Sequence, residues 1–265
     1  MERLSQHTLR IAFLHMAPRH NDVKFNVQLL QGMFRQAAAL QPDLVLTPEL
    51  AVSGYEFHST LGTGWIQSET PVIHASFCRL AEEYHIALVL GSPLYKPQSG
   101  HYHNSALFID ESGQIIGIHH KILVLPGSLE GWASPGIDAN PVLWRGYRLG
   151  LMICSDAYSQ RLVSQLAQRG AQALISLAAW APGEHAPSGE WETRSQETGL
   201  PVLVCNRTGQ GATINFEGSC TVVVIGGQRV AEYSGIPPAI LTMDFDANWQ
   251  PISKHFSIYS IKSEI

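Results

Sequence analysis

Only four cysteines occur in 265 residues, Cys78, Cys154, Cys205 and Cys220, and no two of them form a CxxC pair. So sparse a set gives neither a disulfide framework nor a paired-cysteine metal or redox motif, and a chain of this length needs no staples to hold a core. Charge is scarce too, at 15% Asp, Glu, Lys and Arg with a formal net charge of -5 and no Lys/Arg cluster. That leaves no electrostatic footprint for nucleic acid. No apolar run reaches the ~18 residues that would mark a membrane span. The opening residues, Met1 to His7, lack the pattern of a signal peptide. No low-complexity linker or shift in composition divides the chain. With 45% hydrophobic residues, the expectation is one domain over residues 1–265, soluble and cytoplasmic, with no nucleic-acid or membrane partner.

What is present is alternation. Leu9 to His15 reads as a strand, and Val23, Val27, Leu30, Phe34 and Ala37 mark a helix from about Asp22 to Leu40. Leu44 to Leu46 is a short buried strand ending at Thr47-Pro48-Glu49. A helix from about Val72 to His85 leads to strand Ile86–Leu90, and the segments Asn104–Asp110 and Gln114–His119 form a hairpin around Glu111-Ser112-Gly113. After an apolar run from Tyr147 to Cys154, a helix is expected from Ser159 to Arg169. It is followed by strand Ala173–Leu177, a helix from about Trp191 to Thr198 and strand Pro201–Cys205. Strands at Cys220–Ile225, Arg229–Tyr233 and Ala239–Asp244 close the pattern. Helix–strand alternation with added hairpins predicts an α/β sandwich with mixed sheets. The tail from Trp249 to Ile265 is expected to be mostly irregular. Its Phe256, Ile258, Tyr259 and Ile261 call for cover from the body of the protein or from a second subunit, so residues 247–265 are candidates for a subunit interface.

Three reactive side chains stand where strands stop. Cys154 closes its apolar run and is followed by Ser155-Asp156 and a turn into a helix. A cysteine so placed is either an inert buried side chain or a nucleophile beside backbone N–H groups that favour a thiolate. Lys121 lies between two apolar stretches and Glu49 ends the second strand. Each is either a solvated rim residue or a member of a pair, because desolvating an ammonium without a partner is costly. Together they make a chemical set: a carboxylate base, a cation for a developing oxyanion, and a thiol, with the N–H of Ser155 as a second oxyanion donor. The set requires no histidine. Of twelve histidines only His119-His120 and His101-x-His103 are close in sequence, with no carboxylate or cysteine at ligand spacing, so no metal or other cofactor is expected.

With these residues in place the chain resembles the nitrilase superfamily of carbon–nitrogen hydrolases. Thr47-Pro48-Glu49 through Ser53-Gly54-Tyr55 looks like the family's first motif. His103-Asn104 to Gly113 and His120-Lys121 to Pro126 look like the second, and Gly150 to Asp156 like the third. Gly170 to Trp180, Trp191 to Arg194, Val204 to Gly209 and Phe216 to Ser219 also match, so the resemblance runs from about Leu9 to Asp246. It implies a four-layer αββα sandwich that pairs into an αββααββα homodimer or higher homo-oligomer. It further implies a Glu-Lys-Cys mechanism on a small-molecule amide, nitrile or carbamoyl substrate, with Glu130 in the place of a second family glutamate. The resemblance also places Tyr55, Trp132, Tyr158, Trp180 and Trp191 in loops lining the pocket. Two departures bear on the substrate. Ser155-Asp156 after the cysteine resembles the amidase and carbamoylase branches rather than nitrilases, and Ala157-Tyr158-Ser159-Gln160 replaces the frequent Arg-Phe-Pro-Glu. The expected reaction is amide hydrolysis to a carboxylic acid and ammonia. Nitrile or N-carbamoyl hydrolysis, or a silent binding member, are the alternatives. Glu184, His185 and Glu190 form either a cation site or a solvated loop face.

Overall fold

Strands that are apolar on both faces must lie between covering layers, and the chain contains two sets of them. The computed structural model describes residues 8–124, 129–183 and 186–262. In the first set β1 (Leu9–His15), β2 (Leu44–Leu46) and β3 (Ala87–Lys96) run parallel. They are connected by α1 (Val23–Ala38), and by α2 (His58–Leu61) with α3 (Gly64–Tyr84). The antiparallel strands β4 (His101–Ile109) and β5 (Ile115–His120) extend that sheet.

The second set begins with β6 (Val142–Trp144) and β7 (Tyr147–Ile153), then α4 (Gln160–Gln168), β8 (Ala173–Ala178), α5 (Glu190–Thr198) and β9 (Val202–Asn206). Strands β7, β8 and β9 are parallel, and β10 (Thr221–Ile225) and β11 (Gln228–Tyr233) add an antiparallel edge. The chain then returns to the first sheet through β12 (Ala239–Phe245) and β13 (Ser257–Ser260). The strand orders are β13-β12-β1-β2-β3-β4-β5 and β11-β10-β9-β8-β7-β6.

The sheets pack face to face. Phe13, Val89 and Phe108 of one meet Leu151, Ile175 and Leu203 of the other in a continuous apolar layer. On the outer face of the first sheet, α1 lays Leu30, Met33, Phe34 and Ala37 against Leu14, Val45 and Leu88, joined by Phe77 of α3. Asp22 starts α1 by accepting a hydrogen bond from the Phe25 N–H at 2.9 Å, the capping arrangement its position before the periodic run calls for. Leu162, Val163 and Leu166 of α4 cover the second sheet. The result is the α/β, mixed-sheet αββα layering that the sequence implies, and among the described residues no helix is long and apolar enough to cross a membrane.

Two elements differ from expectation. The helix expected from about Val72 begins at Gly64, and Pro71 is accommodated inside it while Ile66 and Phe77 hold its buried face. The mostly irregular tail carries one further strand: Ser257–Ser260 pairs antiparallel with β12, Phe256 packs edge-on against Phe13 at 5.2 Å, and Ile261 packs on the α1 layer. The tail therefore covers its own body, leaving Ile258 and Tyr259 exposed.

Candidate active site

The carboxyl ends of parallel strands are where α/β folds place ligands, and here the rims of both sheets meet. Glu49 follows β2, Lys121 follows β5, Cys154 follows β7 and Ala179 follows β8. Gly91 of β3 lets the Glu49 loop lie down on the sheet. A Cβ there would sit 2.1 Å from the Pro48 carbonyl oxygen and 3.0 Å from the Leu50 nitrogen, both of them backbone atoms. Gly91→Ala is therefore expected to displace the loop, lowering stability by about 1–3 kcal/mol and turnover with it. Thermal unfolding and ammonia release measure the two effects.

The Lys121 ammonium sits between two carboxylates, 2.7 Å from Glu49 Oε1 and 2.5 Å from Glu130 Oε2. Asn104 Nδ2 donates to Glu49 Oε1 at 2.8 Å and to Glu130 Oε1 at 2.7 Å. The Ala179 N–H donates to Glu49 Oε2 at 3.0 Å, and the Glu49 N–H donates to the Ala178 carbonyl at 3.3 Å. Glu49 thus belongs to one sheet by chain and to the other by hydrogen bonds. Glu49, Lys121, Glu130 and Asn104 are all buried.

Burial pushes the Glu49 carboxyl up, Lys121 pulls it back and Glu130 raises it again, leaving it at about 7. Burial would strip Lys121 of its proton, but Glu49, Cys154 and Glu130 together hold it charged, with its pKa well above the ordinary lysine value. Burial pushes the Cys154 thiol up, and the negative field of Glu49 and Glu130 outweighs the pull of Lys121 and a hydrogen bond from the Ala179 N–H. The thiolate favoured by N–H groups at a helix start is therefore not the resting form. One cation faces two carboxylates, and burial adds to their effect on the sulfur.

Cys154 opens a 3-10 turn, Cys154–Tyr158, with φ at 46°. A non-glycine residue in the left-handed region costs of order 1–3 kcal/mol and persists only where its surroundings enforce it. Asp156 enforces it here. Its Oδ2 accepts from the Ile153 N–H at 3.0 Å and lies 2.8 Å from His119 Nε2, while its Oδ1 accepts from the N–H groups of Ile122 and Leu123 at 3.0 and 2.9 Å. A carboxylate at that distance fixes the His119 tautomer with hydrogen on Nε2. Burial alone would raise the Asp156 pKa, but the bond from His119 and the backbone donors keep it below the usual carboxylate range. The Ser155 hydroxyl donates to the Leu123 carbonyl at 2.8 Å. The turn carrying the thiol and the segment carrying the lysine are thereby tied together.

The aromatic residues named from the sequence divide by position. Tyr55 lies in the field of Glu130, Glu49 and Cys154, and burial first, then those charges, keeps its phenol protonated. Trp132, two residues beyond Glu130, packs on Phe57 at 4.9 Å. Tyr158 is half exposed and stacks at a tilt on Trp180 at 5.2 Å. The backbone of Trp180 is held by the Asn206 side chain at 3.0 and 2.9 Å. Trp191 is not a pocket residue: it is fully buried in α5 behind Trp180 and donates to Ser176 Oγ at 3.2 Å. Glu190 opens α5 with its carboxylate accepting from the N–H and hydroxyl of Ser188 at 2.6 and 2.8 Å, so it serves a turn rather than a cation. Glu184, His185 and the Leu125–Pro126 end of the second motif lie outside the described residues. Among the described residues no group of three or more His, Cys, Asp or Glu side chains is placed to hold a metal ion.

Two groups central to this geometry carry no role in the sequence reading. Asn104 stands in the second motif among the polar residues His101, His103 and Ser105 at the start of β4, so its residue type alone does not set it apart. Asp156 stands in the third, and three of its four contacts, from His119, Ile122 and Leu123, come from a segment remote in sequence.

A paired-sheet αββα body with a buried thiol, ammonium and carboxylates gathered at one rim sets out the side chains of a hydrolytic site. Residues 10–254 match the carbon–nitrogen hydrolase family model, and the chain belongs to that family, within the nitrilase superfamily. It is similar to a probable nitrilase of Schizosaccharomyces pombe, 27% identical over 93% of this chain and 92% of that protein. It is also similar to an (R)-stereoselective amidase of a Pseudomonas species, 26% identical over 77% of this chain and 72% of that one. Among solved structures, an amidase of Nesterenkonia sp. AN1 superposes with a TM-score of 0.79 at 26% identity, covering 91% of this chain and 94% of that one, in a form with acrylamide added at its active-site cysteine. Another structure of that amidase is a complex with butyramide. The protein is an amidase-like enzyme acting on carbon–nitrogen bonds.

Proposed function

We propose that the protein hydrolyses small primary amides through a thioester on Cys154, with Glu49 as base and Lys121 and the Ser155 N–H as oxyanion donors. The observation that carries this reading is the buried Lys121 ammonium bonded to both Glu49 and Glu130 beside Cys154. An ammonium has three N–H donors. Two are spent on the carboxylates, leaving one for substrate oxygen.

Glu49 Oε1 already accepts from Lys121 and Asn104, whereas Oε2 accepts only from the Ala179 N–H. Oε2 is the free basic atom, and it shares the Ala179 N–H with the sulfur of Cys154. As the Cys154 sulfur bonds to the carbonyl carbon its proton passes to Oε2, and the C=O electron pair becomes the oxyanion held by Lys121 and Ser155. Collapse breaks the C–N bond, and ammonia leaves with the proton from Glu49 or through Glu130. Water then gives a proton to Glu49 and attacks the thioester, releasing the acid and restoring the thiol. Tyr55, Trp132, Tyr158 and Trp180 wall the substrate side of this cluster. The butyramide-bound amidase supports short aliphatic amides as the first class to test.

A base must be ionised to work. With Glu49 at about 7, kcat/KM is expected to fall tenfold per pH unit below about pH 7 and to level off above it. Ammonia release from a panel of primary amides, nitriles and N-carbamoyl compounds measures both the substrate class and this profile. A profile flat down to pH 5, or turnover of nitriles alone, would overturn the reading. Pairing of two αββα bodies into a homodimer is part of the same proposal and is tested by light scattering.

A further inference from the structure

The reading above leaves a physical imbalance. Two carboxylates and one ammonium share a buried cluster, so the ionised base carries an uncompensated negative charge in a poorly screened site. Something other than Lys121 must hold Glu130 and Glu49 together without neutralising the base.

Asn104 fits that role. Both hydrogens of its amide are committed, one to each carboxylate, at 2.8 and 2.7 Å. The side-chain orientation follows from charge, because an amide oxygen turned toward two carboxylates would be repelled. The commitment leaves Oδ1 buried without a protein partner among the described residues, a cost a structural asparagine would have no reason to carry. The Asn104 backbone carbonyl also accepts from the Lys121 N–H at 2.8 Å. One residue therefore positions the cation through its main chain and both carboxylates through its side chain.

We infer that Asn104 is the positioning residue that clamps Glu49 and Glu130 across the Lys121 ammonium, keeping the base ionised and leaving Glu49 Oε2 as the atom that takes the thiol proton. This rests on Glu49 acting as base toward Cys154. An amide donates to both carboxylates without adding charge, so it stabilises their ionised forms yet does not quench the basicity of Oε2 as a second ammonium would. The titratable groups facing the pair are Lys121 after β5, Cys154 after β7, and Tyr55 in the loop after β2.

The test needs no substrate. The rate of Cys154 alkylation by iodoacetamide is followed against pH in the wild-type protein, in Asn104→Asp and in Asn104→Ser, with folding checked by thermal unfolding. Asn104→Asp keeps the side chain's shape but removes both donors; Asn104→Ser keeps one donor and adds no charge. The expected result is an acid limb displaced upward by about one pH unit or more in Asn104→Asp and by less in Asn104→Ser, since losing donors to a carboxylate raises its pKa. With an amide that turns over, kcat falls at least about tenfold while KM stays within about threefold. An unmoved limb in either folded variant overturns the role of Asn104. If wild-type Cys154 is not alkylated ahead of Cys78 and Cys220, it is the thiol-nucleophile reading that fails instead.

Discussion

Cys154→Ala is expected to release no ammonia from any amide the wild-type protein hydrolyses, a loss of at least about 10^4-fold, and to unfold at nearly the wild-type temperature. The substitution removes one sulfur atom from a buried side chain. The turn's left-handed backbone is enforced by Asp156 rather than by the thiol, so the fold has little to lose. Neither Cys205 nor Cys220 can take over. Cys205 is fully buried between the sheets with its sulfur directed at the Leu14 and Leu46 carbonyls, and burial pushes its thiol well up. Cys220 bonds to Glu232 at 3.2 Å on the far edge of the second sheet, and its thiol is pushed up to about 11. Circular dichroism with an ammonia assay separates the outcomes. A folded variant that retains turnover would remove sulfur from the mechanism.

Lys121→Met is expected to damage both activity and fold. Methionine fills much of the same space but leaves Glu49 and Glu130 buried with only the amide of Asn104 between them. Removing one partner of a buried ion pair costs about 3–5 kcal/mol, and losing the oxyanion donor costs about 10^2- to 10^3-fold in kcat. The stability loss has a sign in pH. Without the ammonium the buried Glu49 carboxylate binds its proton more tightly in the folded than in the unfolded chain. The deficit is then largest at mildly alkaline pH and shrinks as pH falls toward the ordinary carboxylate range. Adding Glu130→Gln should restore part of the stability and none of the activity, because it removes the surplus charge without replacing the donor. Denaturant unfolding at two pH values checks the sign. A variant equally stable at both would mean that Lys121 is not holding buried charge.

Much of this was legible in the chain, for reasons that can be named. The bounds of β1 and β2 follow from short apolar runs cut off by His15-Met16 and Thr47-Pro48. Glu49, Lys121 and Cys154 stand out because each is a reactive group at the end of such a run, where a parallel strand delivers its side chain to the rim. The start of α3 is not legible because Pro71 interrupts the pattern, while the apolar face of the helix extends back past it to Ile66. β13 is not legible because all four of its residues are exposed, so its pairing with β12 leaves no periodic trace. Trp191 reads as a loop aromatic, and only the packing of α5 shows it buried behind Trp180.

The protonation state of the thiol is legible only in part. Turn chemistry argues for a thiolate, but that argument counts only the donors near the sulfur. Two carboxylates and complete burial act in the opposite direction and outweigh them. The sum needs distances that no sequence supplies. Asn104 belongs with it: it is one of several polar residues at the start of β4, and its two carboxylate partners lie 55 and 26 positions away.

The proposal that Cys154 carries the acyl group of an amide is tested most directly by mass spectrometry of protein quenched during turnover of a short primary amide. The expected spectrum shows an acyl group, removable by hydroxylamine, on the peptide containing Cys154. It should rise and decay with ammonia release and be absent from Cys154→Ala. Steady ammonia release with the acyl group on another residue, or continuing undiminished in Cys154→Ala, would contradict it.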